Sequence, residues 1–165
     1  MIMKWAIQTA WQIWLRKYIY YMIKFITVEE LLPLRNTVLR DGKLTANECR
    51  FPTDTIDGNF HLGYFIKGEL ASIGSFHPQS YGQFTGTGYQ IRGMATAEKF
   101  QGQGVGTKLL NFAIAYLHGQ KANYVWCNGR KKAIKFYQDI GFEIVSPEFE
   151  VPAIGPHHVM YAKIQ

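Results

Sequence analysis

Two rhythms of apolar and polar positions alternate along this chain. "IKFIT", residues 23–27, reads as a first strand. Thr27 with Glu30 three residues on is a capping box, and it opens a helix running to about Arg40. Leu31, Leu34, Val38 and Leu39 give that helix its apolar face, and Asp41-Gly42 ends it. Residues 43–58 show no period, and Pro52 forbids a simple helix there. "NFHLGYFIKGELASIGSF" alternates on both sides of Lys67-Gly68, which predicts a β-hairpin. A polar, glycine-rich loop over 77–88 leads into a strand, "YQIRGMAT", and then a helix, "VGTKLLNFAIAYLH". Leu109, Leu110, Ala113, Ile114 and Leu117 recur at helical spacing before Gly119. A strand "NYVWCN", a helix "KKAIKFYQDI" ended by Gly141, and closing strands "FEIVSPEF" and "HVMYAKI" complete the order. This is an α/β chain with a mixed central sheet of six to seven strands flanked by helices. Two strand–helix–strand units in the C-terminal half favour parallel pairing around the fourth and fifth strands.

Residues 1–21 stand apart. Lys4, Gln8, Gln12 and Arg16 recur every fourth residue opposite Ile7, Trp11, Trp14 and Tyr18, an amphipathic helical pattern. Polar residues interrupt the run too early for a membrane span or a signal peptide. Contact with a membrane surface is the lesser expectation for it. Met22 reads as the natural start, 1–21 as an upstream extension, and 22–165 as one domain.

Charge changes the picture only slightly. The net charge is +6, of which Lys4, Arg16 and Lys17 supply +3; the remaining 15 basic and 12 acidic residues leave +3. That suits a small anionic ligand and does not call for nucleic acid. Cys49 and Cys127 are two isolated thiols without metal-ligand spacing, so no metal is expected and a reducing, cytoplasmic setting fits.

The candidate chemistry lies in "RGMATAEKFQGQGVGTKLLNFAIAYL", residues 92–117. Gly102, Gly104 and Gly106 let a backbone turn sharply and let a ligand approach its amides. The helix that follows offers unpaired N–H groups and the positive end of its dipole to an anion. Thr107 breaks a dinucleotide G-x-G-x-x-G pattern, and Gly106-Thr107-Lys108 is not a P-loop.

Gln101-x-x-Gly104-x-Gly106 resembles the Q/R-x-x-G-x-G/A signature of the GNAT superfamily of N-acetyltransferases. "MAT", residues 94–96, resembles that fold's bulged fourth strand. "AIKFYQDIGF", Ala133 to Phe142, is similar to its A-x-x-x-Y-x-x-x-G-F segment, and the resemblance covers residues 22–165. It implies a GNAT-like fold, acetyl-CoA as acyl donor and an amine as acceptor, joined in a ternary complex. The backbone of Met94, Ala95 and Thr96 would then pair with the pantetheine arm. The amides of Gln101, Gly102, Gln103, Gly104, Val105, Gly106 and Thr107 would take the pyrophosphate, with Asn128 nearby. Tyr137 stands at the family's general-acid position, and a homodimer is compatible with the fold.

Transfer to an amine needs deprotonation, an oxyanion donor and a protonated leaving thiolate. A lysine-like ammonium at neutral pH faces a deficit of about 4.6 kcal/mol. "YQIRGMAT" carries no acid to serve as base, and Glu98 lies beyond it. Histidine is the side chain suited to move a proton at physiological pH, and His157 and His158 border the last strand, so they are expected on the acceptor side. Arg35, with Arg40 and Arg92 as weaker choices, would bind an acceptor carboxylate. The basic run Arg130, Lys131, Lys132 and Lys135 offers either a solvated helix face or a site for CoA phosphates. A non-catalytic acyl-CoA sensor and, more distantly, a nucleic-acid-binding module are the alternatives. The acceptor, whether small molecule or peptide amine, is not legible.

Overall fold

Thr27 caps the first helix as its spacing dictates. Its N–H donates to Glu30 Oε2 at 2.7 Å, and Glu30 N donates to Thr27 Oγ1 at 3.3 Å. The helix, α1 (Val28–Arg40), stops where Asp41 turns left-handed at φ 53°. In the computed structural model, which describes residues 21–164, α1 follows β1 (Tyr21–Phe25). The expected extension lies outside the described residues except for Tyr21, which opens β1. The irregular stretch contains two 3-10 turns, Asn47–Cys49 and Pro52–Thr55. The hairpin is β2 (Phe60–Ile66) and β3 (Glu69–Pro78), joined by Lys67 at φ 51° and Gly68 at φ 81°, both in the left-handed region a two-residue turn demands. Then come β4 (Gly88–Thr96), α2 (Val105–Gly119), β5 (Tyr124–Arg130) and the short α3 (Ile134–Gln138).

The chain closes on β6 (Glu143–Ile144), β7 (Phe149–Val151) and β8 (Gly155–Lys163). The single strand expected over "FEIVSPEF" is therefore two short ones, giving eight strands where six to seven were expected. Pro147 lacks an N–H for the ladder, and Ser146 beside it spends its hydroxyl on Pro147 O at 2.8 Å.

The sheet order is β1-β2-β3-β4-β5-β8-β6, with β7 also on β8. Among the described residues only β4 and β5 pair in parallel. α2 buries Leu109, Leu110, Ala113 and Leu117 completely against one face of the sheet. On the other face, Leu31 and Leu32 of α1 meet Ile73 and Ala95.

Beneath α1 lies a buried polar network. Arg35 Nη1 and Nη2 clasp Asp54 Oδ2 and Oδ1 at 2.6 and 2.9 Å, and also donate to Cys49 O and Ser75 Oγ. His61 Nε2 lies 3.2 Å from Asp54 O, an acceptor only, so that nitrogen carries the proton and Nδ1 accepts from Ser75 Oγ at 2.8 Å. Burial lowers the pKa of His61, and likewise that of buried His77. In the unfolded chain both return to about 6.5. Below that value the unfolded state binds more protons, so stability is complete above about pH 6.5 and is lost as pH falls towards the folded values. Urea midpoints should therefore drop between about pH 7.5 and about pH 5. A flat profile would contradict the neutral, buried assignment.

Candidate functional site

β4 and β5 stay paired from Gly88↔Tyr124 only to Gln90↔Trp126, after which β5 continues on β8 as far as Arg130↔His157. The two parallel strands thus part midway, and a cavity of about 690 Å³ opens between them. Its shape depends on a bulge in β4. Three steps of β4 from Arg92 to Ala95 face two steps of β3 from Ile73 to Ser75, and Gly93 takes φ 60°. The extra residue shifts the alternation. Ile91, Met94 and Thr96 face α2, whereas Arg92, Gly93 and Ala95 face α1. A Cβ on Gly93 would lie 3.0 Å from both Arg35 Nε and Phe51 Cε2, so glycine is required there by space as well as by φ.

Beyond β4, Gly102 and Gly104 sit at φ 72° and 71°, and a Cβ on either would meet nothing within 4 Å. The conformation, not crowding, selects glycine, and the space above the turn is left to a ligand. The first bond into α2 is Lys108 N to Gly104 O at 3.0 Å, so the amides of Val105, Gly106 and Thr107 have no intrahelical acceptor. No acidic residue occupies that first turn. Gly106 packs under the strand, where a Cβ would reach Thr96 Oγ1 at 3.2 Å and Phe136 Cε2 at 3.3 Å. Ala97 N bonds Ala71 O at 2.8 Å; by alternation, Thr96 turns its own N–H and C=O to the open edge. Gln101 Nε2 donates to that Thr96 carbonyl at 3.0 Å.

Of the residues singled out by sequence, Met94, Ala95, Thr96, Gln101, Gly102, Gly104, Val105, Gly106, Thr107, Asn128, Tyr137 and His157 all line this cavity. Gln103 does not; its side chain turns back to Lys99 O at 2.8 Å. Arg35 lies elsewhere too. It is 1 % exposed and committed to Asp54, because a cation on the inner face of α1 can be buried only beside a carboxylate. His158 points away, with Nδ1 near Ser146 O and Nε2 3.6 Å from Glu148. His157 Nδ1 faces Gly155 O at 2.7 Å, and because a carbonyl only accepts, Nδ1 carries a proton. The basic run divides. Arg130 and Lys132 line the cavity, while Lys131 and Lys135 pair with Glu148 and Asp139.

Tyr137 is 6 % exposed and its hydroxyl lies close enough to the Cys127 thiol for the two groups to influence each other. Burial, then the neighbouring thiol, pushes its pKa well above the ordinary phenol value, so it stays protonated at neutral pH. Burial also pushes the Cys127 thiol up to about 12, which removes it as a nucleophile. Phe51, Phe136 and the Arg35–Asp54 clasp were not found by sequence. Phe51 sits in the stretch without period, and no local spacing links residue 35 to residue 54. Among the described residues no helix is long and apolar enough to cross a membrane. Nor do any of them form a group of three or more His, Cys, Asp or Glu that could hold a metal ion.

An αL glycine turn before a helix, a bulged strand with an open edge and a buried phenol thus line one cavity. Comparison with known proteins identifies the family. Residues 27–142 match the model of the acetyltransferase (GNAT) family, a span that includes both the glycine turn and Tyr137. An uncharacterized N-acetyltransferase of Bacillus subtilis (strain 168), YitI, is 36 % identical over 144 residues, covering 87 % of this chain and 96 % of its own. The crystal structure of an acetyltransferase of the GNAT family from Streptococcus pneumoniae superposes with a TM-score of 0.67 at 17 % identity, covering 88 % of this chain and 99 % of that one. An aminoglycoside 6'-N-acetyltransferase complexed with coenzyme A gives 0.70 at 14 % identity, over 87 % and 97 %. These two share the fold; the family match and the Bacillus relative carry the assignment, and the chain belongs to the GNAT family of acetyltransferases.

Proposed function

We propose that this acyltransferase moves an acetyl group from acetyl-CoA directly to the amine of an acceptor held in the same cavity. The carrying observation is that the glycine turn, the open edge of β4 and Tyr137 all line one cavity. The coenzyme A seated in the aminoglycoside enzyme of the same fold supports the choice of donor. Acetyl-CoA supplies a thioester whose carbonyl carbon an amine can attack.

The amides of Val105, Gly106 and Thr107 receive the pyrophosphate at the positive end of α2. Each charge-assisted bond there contributes about 1.5–3 kcal/mol. Residues 94–96 present a strand edge to the amide-bearing arm, and the Thr96 N–H is turned to donate to oxygen that gains charge. The new N–C bond forms as the C–S bond breaks. The amine releases its proton to solvent, and Tyr137 passes its phenolic proton to the departing sulfur before regaining one from solvent. Its raised pKa keeps that proton in place until the sulfur needs it.

Tyr137→Phe removes the proton donor and little volume. The expected outcome is a fall in kcat of about 100-fold, with the calorimetric Kd for acetyl-CoA within about threefold of the parent. Unchanged kcat would remove Tyr137 from the reaction. Absence of acetyl-CoA binding by the folded parent would overturn the whole reading.

A further inference from the structure

One wall of the cavity, on the α1 side, carries three arginines without an ion-pair partner. Arg40, Arg92 and Arg130 all border the cavity, each half-buried, and its lining contains no Asp or Glu among the described residues. None of the three has an acidic oxygen of a described residue within ion-pair distance, although Lys43, Arg50, Lys99, Lys131 and Lys135 all do. Arg40 Nη1 and Arg130 Nη2 each donate to the same atom, Leu39 O, at 3.2 Å. Two guanidinium groups from distant parts of the chain therefore meet at one carbonyl in the last turn of α1. Arg92 lies 4.3 Å over the Phe51 ring, whose other contact is the Arg35 guanidinium at 4.0 Å, and reaches only Thr53 Oγ1 at 3.4 Å. Of the acids whose charge reaches these arginines, Asp54 is already clasped by Arg35, and Asp41 is solvent-exposed and paired with Lys43.

Burial is the main cause that lowers the pKa of Arg92 and of Arg130; the Arg40 charge lowers both further, while Asp54 opposes the shift at Arg92 and Asp41 opposes it at Arg130. Stacking on Phe51 and the negative end of α1 hold these cations in place, but neither supplies a counter-ion. The cluster is also separate from the pyrophosphate turn. Arg92 stands four residues before Thr96, roughly 13 Å along an extended strand, and it faces α1 rather than α2.

We infer that the acceptor is a small amine that also bears a carboxylate, an amino-acid-like molecule whose carboxylate is gripped by Arg92 together with Arg40 and Arg130. This rests on the acetyl-transfer reading above. A planar guanidinium fork suits a carboxylate, whereas a polyamine or an aminoglycoside would bring positive charge to a wall of arginines. The carboxylate on the α1 side anchors the molecule, while its amine reaches the bulge of β4 where the acyl carbon is presented.

The test measures CoA thiol release with three acceptor sets: the free L-amino acids, their neutral carboxamides, and spermidine. Turnover by one or more free amino acids, with the matching amide at least about tenfold poorer in kcat/KM, is the expected result. Arg92→Gln should raise KM for that amino acid by about tenfold or more and leave the Kd of acetyl-CoA within about threefold. Arg92→Lys should fall between, since it keeps charge and loses the fork. Turnover of spermidine or the amides with free acids inert would overturn the acceptor class and leave acetyl transfer standing. A rise in the Kd of acetyl-CoA in Arg92→Gln with KM for the acceptor unchanged would assign the arginine to the donor instead. Loss of acetyl-CoA binding by the parent would fail the underlying reading rather than this one.

Discussion

Arg35→Ala is expected to cost about 3–5 kcal/mol of folding stability, a large share of what a domain of this size holds. The Asp54 side chain is 2 % exposed, and the substitution leaves its carboxylate buried without its cation. Burial alone would raise the Asp54 pKa; the hydrogen bonds from Arg35 and from Phe51 N overcome it and hold the carboxyl below its usual range. The same clasp reaches Cys49 O and Ser75 Oγ, so one side chain joins α1, both 3-10 turns and β3. Removing both charges, in Arg35→Met with Asp54→Asn, should cost clearly less than the single change, because no unpaired charge is left. Urea unfolding of the single and double variants measures the difference. A loss under about 1 kcal/mol for Arg35→Ala would mean that Asp54 is solvated after all.

Gly104→Glu should weaken acetyl-CoA binding by at least about 100-fold, roughly 2.7 kcal/mol. The glutamate would place bulk and negative charge in the open space above the turn, against the amides proposed to receive the pyrophosphate. Part of any effect is conformational, since φ 71° costs an ordinary residue about 1–2 kcal/mol. Gly104→Asn separates the two causes. Asparagine tolerates the left-handed region and carries no charge, so it should bind within about threefold of the parent. Calorimetry with both variants, each checked for folding, decides. A folded glutamate variant that binds as the parent does would move the pyrophosphate away from this turn.

The glycine turn, the capped first helix, the hairpin at Lys67-Gly68 and the Tyr137 segment were legible in sequence because local chemistry sets each. A left-handed φ demands glycine at 102 and 104, the Thr27–Glu30 spacing satisfies two amides at once, and helical period marks Leu109 to Leu117. The parallel β4–β5 pair followed from handedness rules acting on the same pattern. The split of "FEIVSPEF" did not, since both short strands owe their existence to the long β8 between them and the rest of the sheet.

Sequence also named most residues of the cavity wall around the glycine turn, because backbone amides follow wherever the turn goes. The opposite wall, proposed here for the acceptor, was decided by tertiary structure. Arg35, Arg40, Arg92 and Arg130 look alike as letters, yet one is clasped by a carboxylate 19 positions away and the others face an open cavity. Which arginine meets an acid depends on contacts between α1, the 3-10 turns and a bulged strand, and long-range pairing of that kind has no period to read. Sequence determined the backbone cradle, because turn geometry is local. Only the folded chain decided which charges are spent and which remain to bind a substrate, because burial and partnership arise between distant segments.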